Sequence, residues 1–422
     1  MSGIILFGSF FLLLLVVPVG YAIGMATVIS MMLRTSIPLE TFTQSSVSGA
    51  NSFALMAVPF FMLCGSLMTT GGVARRIVSF VNTLCGAVTG GLAIVTTVAC
   101  MFFGAISGSA VATTSAIGSF MIPEMRKKGY DDGFSGAIAA AAGSVGVIIP
   151  PSVPFVIYGV VVSCSISDLF KAGIIPGILM GLALVAACYI SSKKRGYSGT
   201  ERAATAGEVW GAFKDAFWAL LMPVIILGGI YSGVFTATEA AVVAVAYCIV
   251  ISVFVYREMS WSQVYDAFMS VVEINGVTLF MMGFTAMFAS FLTLENIPAS
   301  IAEFILSISS NKIVILLVIN LFLLLVGCVI DNIPATIIFA PILLPVVSQL
   351  GMSAVTFGVM LTMNLAIGFV TPPYGICLFM VSAISDIPMG KMMKNMLGFM
   401  AALLIVLLIT TYVPFVTTVL LK

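Results

Sequence analysis

Long apolar runs separated by short polar breaks dominate the chain, and none alternates with the period of two that marks a strand. The runs at 4–33, 53–68, 171–191, 216–234, 240–255 and 397–421 therefore predict helices. The pieces at 91–105 and 111–122 are shorter than the ~20 residues a crossing needs. They flank Ser107-Gly108-Ser109 and fit two arms of a re-entrant hairpin with its tip at 106–110. The pieces at 134–145 and 154–163 fit two half-helices of one crossing, broken at 146–151. The run 4–33 holds Pro18 and Gly20 near its middle and is either one kinked helix or two short ones. Residues 37–49 form a polar amphipathic stretch suited to the interface. Residues 73–88 carry Arg75 and Arg76 and read as an arm along the surface.

The plan then repeats. After 192–214, the only long polar stretch, come spans at 216–234 and 240–255, an amphipathic segment at 261–271 and a span at 276–293. An arm at 297–310 and a hairpin of 313–326 and 335–345, tip 329–334, follow; a broken helix at 354–373 and a closing run at 391–421 end the chain. In one gapless register, offset by 222 positions, Pro123 meets Pro345, Gly129 meets Gly351, Gly136 meets Gly358, Gly146 meets Gly368, and Pro150-Pro151 meet Pro372-Pro373. Chance does not supply six such coincidences; the chain is an internal duplication.

Charge sets the relation between the copies. Arg126-Lys127-Lys128 align with Ser348-Gln349-Leu350, and Arg75-Arg76 with Ile297-Pro298. Basic loops stay cytoplasmic, so copies of opposite topology are expected to differ in this way. Lys193-Lys194-Arg195 and Lys391/Lys394 fall inside on the same scheme, whereas Lys312 fits it poorly. The expected fold is an all-α polytopic membrane protein. It is an inverted-topology repeat with two re-entrant helical hairpins and two broken helices.

Composition agrees: of 422 residues only 8% are charged and 61% hydrophobic, mean hydropathy is +1.22 and net charge +1, against roughly 25% charged in soluble domains. No nucleic-acid partner is implied. There is no histidine, which removes Ser-His and Cys-His catalysis. The eight cysteines are scattered without a CxxC pair and read as small packing residues. The first run lacks an n-region charge and a cleavage site and is expected to be retained. Asp131-Asp132 read as solvated, Glu239 as belonging to a helix cap after Thr236, and Asp168 and Asp386 as caps at equivalent loops.

A helix broken inside the bilayer exposes backbone groups that need partners. Secondary transporters use such breaks, with half-helix N-termini facing an anion and unwound carbonyls binding Na⁺. Ser107 and Ser109 at the first tip, facing 146–151, offer hard neutral oxygens suited to Na⁺. The second tip sets Asp331-Asn332 against 368–373, with Thr371 adding a hydroxyl. An Asp at mid-membrane costs at least ~2.5 kcal/mol, so a partner cation is expected. Taken alone, Ser107 or Thr114 would be a packing residue; recurrence in register, Ser109 matching Asp331, favours binding.

The motifs GAISGSAVATTSAIG, GVIIPPS, IDNIPATIIFAPILLP and GFVTPPYG resemble the large membrane subunit of TRAP (tripartite ATP-independent periplasmic) transporters, from about residue 59 onward. The resemblance implies an elevator-type member of the ion transporter superfamily, in a bacterial or archaeal cytoplasmic membrane. Its implied partners are a small four-helix membrane subunit and a soluble periplasmic substrate-binding protein. Its implied activity is Na⁺-driven uptake of organic acids such as C4-dicarboxylates or sialic acid. The length fits an unfused large subunit. By position, one Na⁺ site uses Ser107 and Ser109 with carbonyls of Gly146, Ile149 and Pro151. A second uses Asp331 and Asn332 with Gly368, Thr371 and Pro373. The anionic substrate falls to Ser107, Gly108, Ser109, Asn332, Thr336, Pro150 and Pro372. On this reading 91–165 and 311–388 form the transport domain, while 1–90, 166–310 and 389–422 form scaffold, linker and arms.

Three other functions compete. A self-sufficient dicarboxylate or citrate symporter needs no soluble partner. An intramembrane enzyme lacks His and a paired-Asp motif, and a passive channel suits paired hairpins badly. No GxxxxGK[ST] occurs, so this chain hydrolyses no ATP through a P-loop.

Overall fold

The computed structural model describes residues 2–14, 17, 19–34, 38–199, 202–308 and 311–421. The first run is two helices, α1 (Ser2–Leu14) and α2 (Val19–Arg34), because Pro18 has no N–H with which to continue a helix. Next come α3 (Leu39–Ala50), α4 (Ala57–Thr70) and the arm α5 (Val73–Cys85). The first hairpin is α6 (Gly91–Ser107) and α7 (Ala110–Lys127); the first broken helix is α8 (Asp132–Val145) and α9 (Val153–Val161). After α10 (Ile166–Arg195) the second half begins with α11 (Ala206–Tyr231), α12 (Ala237–Ile249), which runs on through a π-helical stretch at Val250–Val255, and α13 (Trp261–Leu294). The arm α14 (Ile297–Ile308) leads to the second hairpin, α15 (Lys312–Gly327) and α16 (Asn332–Gln349). The second broken helix is α17 (Ala354–Gly368) and α18 (Ile376–Ser385), followed by α19 (Met389–Tyr412) and the short α20 (Phe415–Thr418).

Three details depart from the sequence reading. The amphipathic segment and the span after it fuse into one 34-residue helix, α13. Ser260 and Gln263 start it with a capping box, and the lone Gly276 costs only ~1 kcal/mol relative to Ala, too little to break it. The second tip is 328–331 rather than 329–334, since Pro334 falls in the first turn of α16, where a missing N–H leaves no bond unmade. Asp168 stands in the first turn of α10 while Ser165 caps it, whereas Asp386 does hold a cap position, at the C-terminal end of α18 in a left-handed conformation. Asp131 is exposed, as expected, and in addition caps α8 by accepting from the Phe134 N–H.

The duplication is visible in the packing. Helix α18 lies on α7 as α9 lies on α16, α6 pairs with α8 as α15 pairs with α17, and α4 meets α12 as α13 meets α2. Each arm lies along its own hairpin, α5 on α6 and α14 on α16. Helices α10 and α19 pack on each other, α10 also along α6 and α17, α19 along α8 and α17. Among the described residues seven helical segments are long and apolar enough to cross a membrane. One of them, α16, has 67% of its apolar window buried inside the protein, the largest share of the seven. Length alone would make it a span; its burial against α9, α14 and α17, and the short turn that joins it to α15, make it a hairpin arm.

Candidate functional site

Each tip is built against its break by glycines. At the first, Gly108 adopts φ +59°, and a Cβ there would stand 2.7 Å from the Pro151 carbonyl oxygen. A Cβ on Gly104 would lie 2.4 Å from the Gly146 Cα, so only paired glycines allow this approach. The Val153 N–H donates to the Gly108 carbonyl across the gap at 3.3 Å. Ser109 caps α7 by accepting from the Ala112 N–H. Ser107 is fully buried, its Oγ 3.1 Å from Thr113 Oγ1, and the Thr113 hydroxyl donates to the Ser109 carbonyl at 2.7 Å.

Where α8 ends, the helical ladder stops. Ser152 donates to the Val147 carbonyl and caps α9 through the Phe155 N–H. Among the described residues no hydrogen bond reaches the carbonyl oxygens of Gly146, Ile149 or Pro151. These three oxygens lie in one break against a tip bearing two hydroxyls. That is a set of hard, neutral lone pairs of the kind Na⁺ takes.

The second tip repeats the frame. A Cβ on Gly368 would sit 2.4 Å from the Gly327 carbonyl, and the Tyr374 N–H donates to the Cys328 carbonyl at 2.9 Å. Both Pro-Pro bonds, Pro150-Pro151 and Pro372-Pro373, are cis. The side chains differ from the first tip. Asp331 holds the N-cap position of α16 without making the cap bond, its carboxylate near the N–H groups of Asn332 and Ile333. Among the described residues no basic side chain pairs with it. Tyr374 and Cys377 are within its electrostatic reach. Asn332 is 2% exposed; its Oδ1 accepts from the Thr336 hydroxyl at 3.1 Å, and its Nδ2 has no partner. Thr371 donates to the Ile367 carbonyl and keeps its lone pairs, and the Gly368 carbonyl accepts only from the Thr371 N–H. The Pro373 carbonyl accepts nothing among the described residues.

Residues 6–416 match the family described as "Tripartite ATP-independent periplasmic transporter, DctM component". The chain belongs to this family. A relative named isethionate TRAP transporter permease protein DctMQ, from Oleidesulfovibrio alaskensis, is 44% identical over 97% of this chain. The chain spans 65% of that protein's length. The sialic acid TRAP transporter large permease protein SiaM of Vibrio cholerae is 39% identical, covering 97% of this chain and 96% of SiaM. A crystal structure of the Alcanivorax borkumensis YdaH transporter, titled as having an unusual topology, superposes with a TM-score of 0.65 at 15% identity, over 90% of this chain and 89% of that one. At that identity the likeness concerns the fold alone.

In this TRAP permease the predicted residues do gather at two tip–break pairs, Ser107, Gly108 and Ser109 with 146–151, and Asp331 and Asn332 with 368–373. Sequence reasoning overlooked Gly104, Thr113, Gly327 and Cys328, and set Thr114 aside as packing. The Thr114 hydroxyl is buried against Gly143, with the Cys377 thiol of the other half as its neighbour. Thr114 and Thr336 stand 222 positions apart, so the register already held the signal.

Proposed function

We propose that this chain is the membrane-permease subunit of a Na⁺-coupled, binding-protein-dependent importer of small organic anions. The observation that carries the reading is the pairing, twice over, of a tip and a break that leave oxygen lone pairs unused, with an unpaired carboxylate at one of them. Na⁺ at the first pair would be held by Ser107, Ser109 and the carbonyls of Gly146, Ile149 and Pro151. At the second, Asp331, Asn332, Thr371 and the carbonyls of Gly368 and Pro373 would hold it, and the cation would offset the Asp331 charge.

The anion then lies between the tips. Asn332 Nδ2 is an unspent donor there, with Ser107, Gly108, Ser109, Pro150, Thr336 and Pro372 shaping the walls. The N-terminal ends of α9 and α18 add partial positive charge. The moving body comprises α6–α10 and α15–α19, including α10 and α19 because of their packing. The remaining helices are the scaffold, joined through the arms α5 and α14, and the motion is an elevator-type slide. Relatives named for isethionate and sialic acid point to an anionic organic substrate. A small four-helix subunit and a soluble periplasmic binding protein complete the system in a bacterial or archaeal cytoplasmic membrane.

The test is uptake into proteoliposomes holding this chain and its small subunit, with and without the soluble protein, across a Na⁺ gradient. Uptake that needs both supports the reading. Uptake that needs the gradient alone would make the chain a self-sufficient symporter, and uptake indifferent to Na⁺ would remove the coupling.

A further inference from the structure

One turn outside the second site, a second polar group is buried in the bilayer-spanning core. Asn320 of α15, Asn364 of α17 and Thr411 of α19 meet there, 2%, 0% and 2% exposed. Asn364 Nδ2 donates to Asn320 Oδ1 and to the Met360 carbonyl, both at 2.8 Å. Asn320 Nδ2 donates to the Leu316 carbonyl at 2.9 Å and to Thr411 Oγ1 at 3.2 Å. The Thr411 hydroxyl donates to the Leu407 carbonyl at 2.8 Å. Four amide hydrogens and one hydroxyl hydrogen are thus all spent.

What remains is lone pairs. Asn364 Oδ1 is buried and receives no hydrogen bond. Turning the amide over does not help, because its oxygen would then face Asn320 Oδ1 and the Met360 carbonyl, two acceptors. A buried group showing only acceptors calls for a cation or for a donor brought from outside. The position matters too. Asn364 precedes Gly368 by one helical turn, and a Cβ on Gly327 would touch both Gly368 and the Asn364 carbonyl. The first half has no counterpart: at the same offset Asn320 and Asn364 match Val98 and Ala142.

We infer that Asn364 Oδ1, Asn320 Oδ1 and Thr411 Oγ1 form an additional site for a monovalent, hard cation, Na⁺ in this system. It adjoins the second tip–break pair and is present in only one half. The site carries no carboxylate and offers only neutral amide and hydroxyl oxygens, so nothing in it would offset the second charge of a divalent ion and a monovalent one is the better fit. The inference rests on the Na⁺-coupled reading above.

The experiment compares radioactive Na⁺ flux per substrate taken up, in proteoliposomes of the complete system, for wild type and Asn320→Leu/Asn364→Leu. Leucine removes both partners at similar volume, which spares the fold. The ratio should fall by about one Na⁺ per substrate. Thr411→Val, close in shape, should raise the half-saturating Na⁺ concentration about threefold, and it decides alone if the double variant fails to assemble. An unchanged ratio and unchanged Na⁺ dependence would mean that the cluster holds only a water molecule and would overturn the inference. Wild-type uptake without Na⁺ dependence would instead defeat the coupled reading itself, and this site with it.

Discussion

At the first tip the hydroxyls are engaged inside the protein. Ser107 is hydrogen-bonded with Thr113, Ser109 caps α7, and the Gly108 carbonyl takes the Val153 N–H. At the second, Asp331 occupies a cap position without capping, and Asn332 keeps an amide group with no partner. The frames are alike: paired glycines, a Pro-Pro break, and one backbone hydrogen bond from break to tip. Duplication supplied one backbone device, and the two copies were furnished with different chemistry. The first tip has its hydroxyls tied into the protein's own hydrogen bonds. The second keeps a carboxylate with no basic partner among the described residues and an amide group with no partner.

The sharpest way to break that comparison is Asp331→Ala. Removing the only carboxylate of the two tips takes away the one charged ligand of the proposed cation site, and at ~3 kcal/mol for an interaction with a charged group Na⁺-driven uptake should fall on the order of 100-fold. Because Asp331 makes no cap bond and only faces the N–H groups of Asn332 and Ile333, thermal stability in detergent should fall by no more than the ~1 kcal/mol of a helix cap. Normal Na⁺ dependence in this variant would show that the second tip binds no cation, and the contrast between the tips would lose its functional meaning.

A smaller effect is expected at the first tip. Ser107→Ala/Ser109→Ala leaves the carbonyls of Gly146, Ile149 and Pro151 in place, so the half-saturating Na⁺ concentration should rise only threefold to roughly tenfold. Ser109→Ala also removes a helix cap worth ~1 kcal/mol and should lower the melting temperature, whereas Ser107→Ala alone should not remove a cap. Titrating uptake against Na⁺ for the two single variants separates ligand loss from cap loss. A Na⁺ response equal to wild type in the double variant would move the first site elsewhere.

Much of this was legible in the sequence because Gly and Pro punctuate it. The register of Pro123, Gly146 and Pro150-Pro151 with Pro345, Gly368 and Pro372-Pro373 located both breaks, and run length located both hairpins. Tertiary pairing was not legible. Gly104 against Gly146, and Gly327 against Gly368, are contacts between segments with no mark in either strand of sequence. Periodicity divided α13 at its amphipathic stretch, although a 34-residue helix of roughly 51 Å outruns the ~30 Å hydrocarbon core and carries a polar end beyond it. Asn320 and Asn364 were passed over because single amides in apolar helices resemble packing until both are seen facing each other.

The arms extend the comparison between halves, with the smallest expected effect. Arm α5 enters from Gly72, at φ +75°, and is held at once: Arg76 lies 3.2 Å from Asp215 and 2.8 Å from Glu258, with its guanidinium 3.7 Å from the Tyr256 ring centre. Arg75 also pairs with Glu258. A Cβ on Gly72 would collide with the Glu258 carboxylate. Arm α14 enters from Asn296, also left-handed at φ +51°, but its residues 297–308 include no basic side chain. One arm is pinned at its entry to α11 and to the segment before α13, and among the described residues the other has no such ionic pin. Glu258→Gln breaks two pairs at once. Arg75 is 61% exposed and Arg76 13%, so solvent screening leaves about 1 kcal/mol between them. Uptake should fall about threefold to fivefold in maximal rate, with the half-saturating Na⁺ concentration unchanged, since the clamp touches neither tip. If Na⁺ affinity moved instead and the maximal rate held, the clamp would be shaping the first tip through α6, and the arm would not be a pivot.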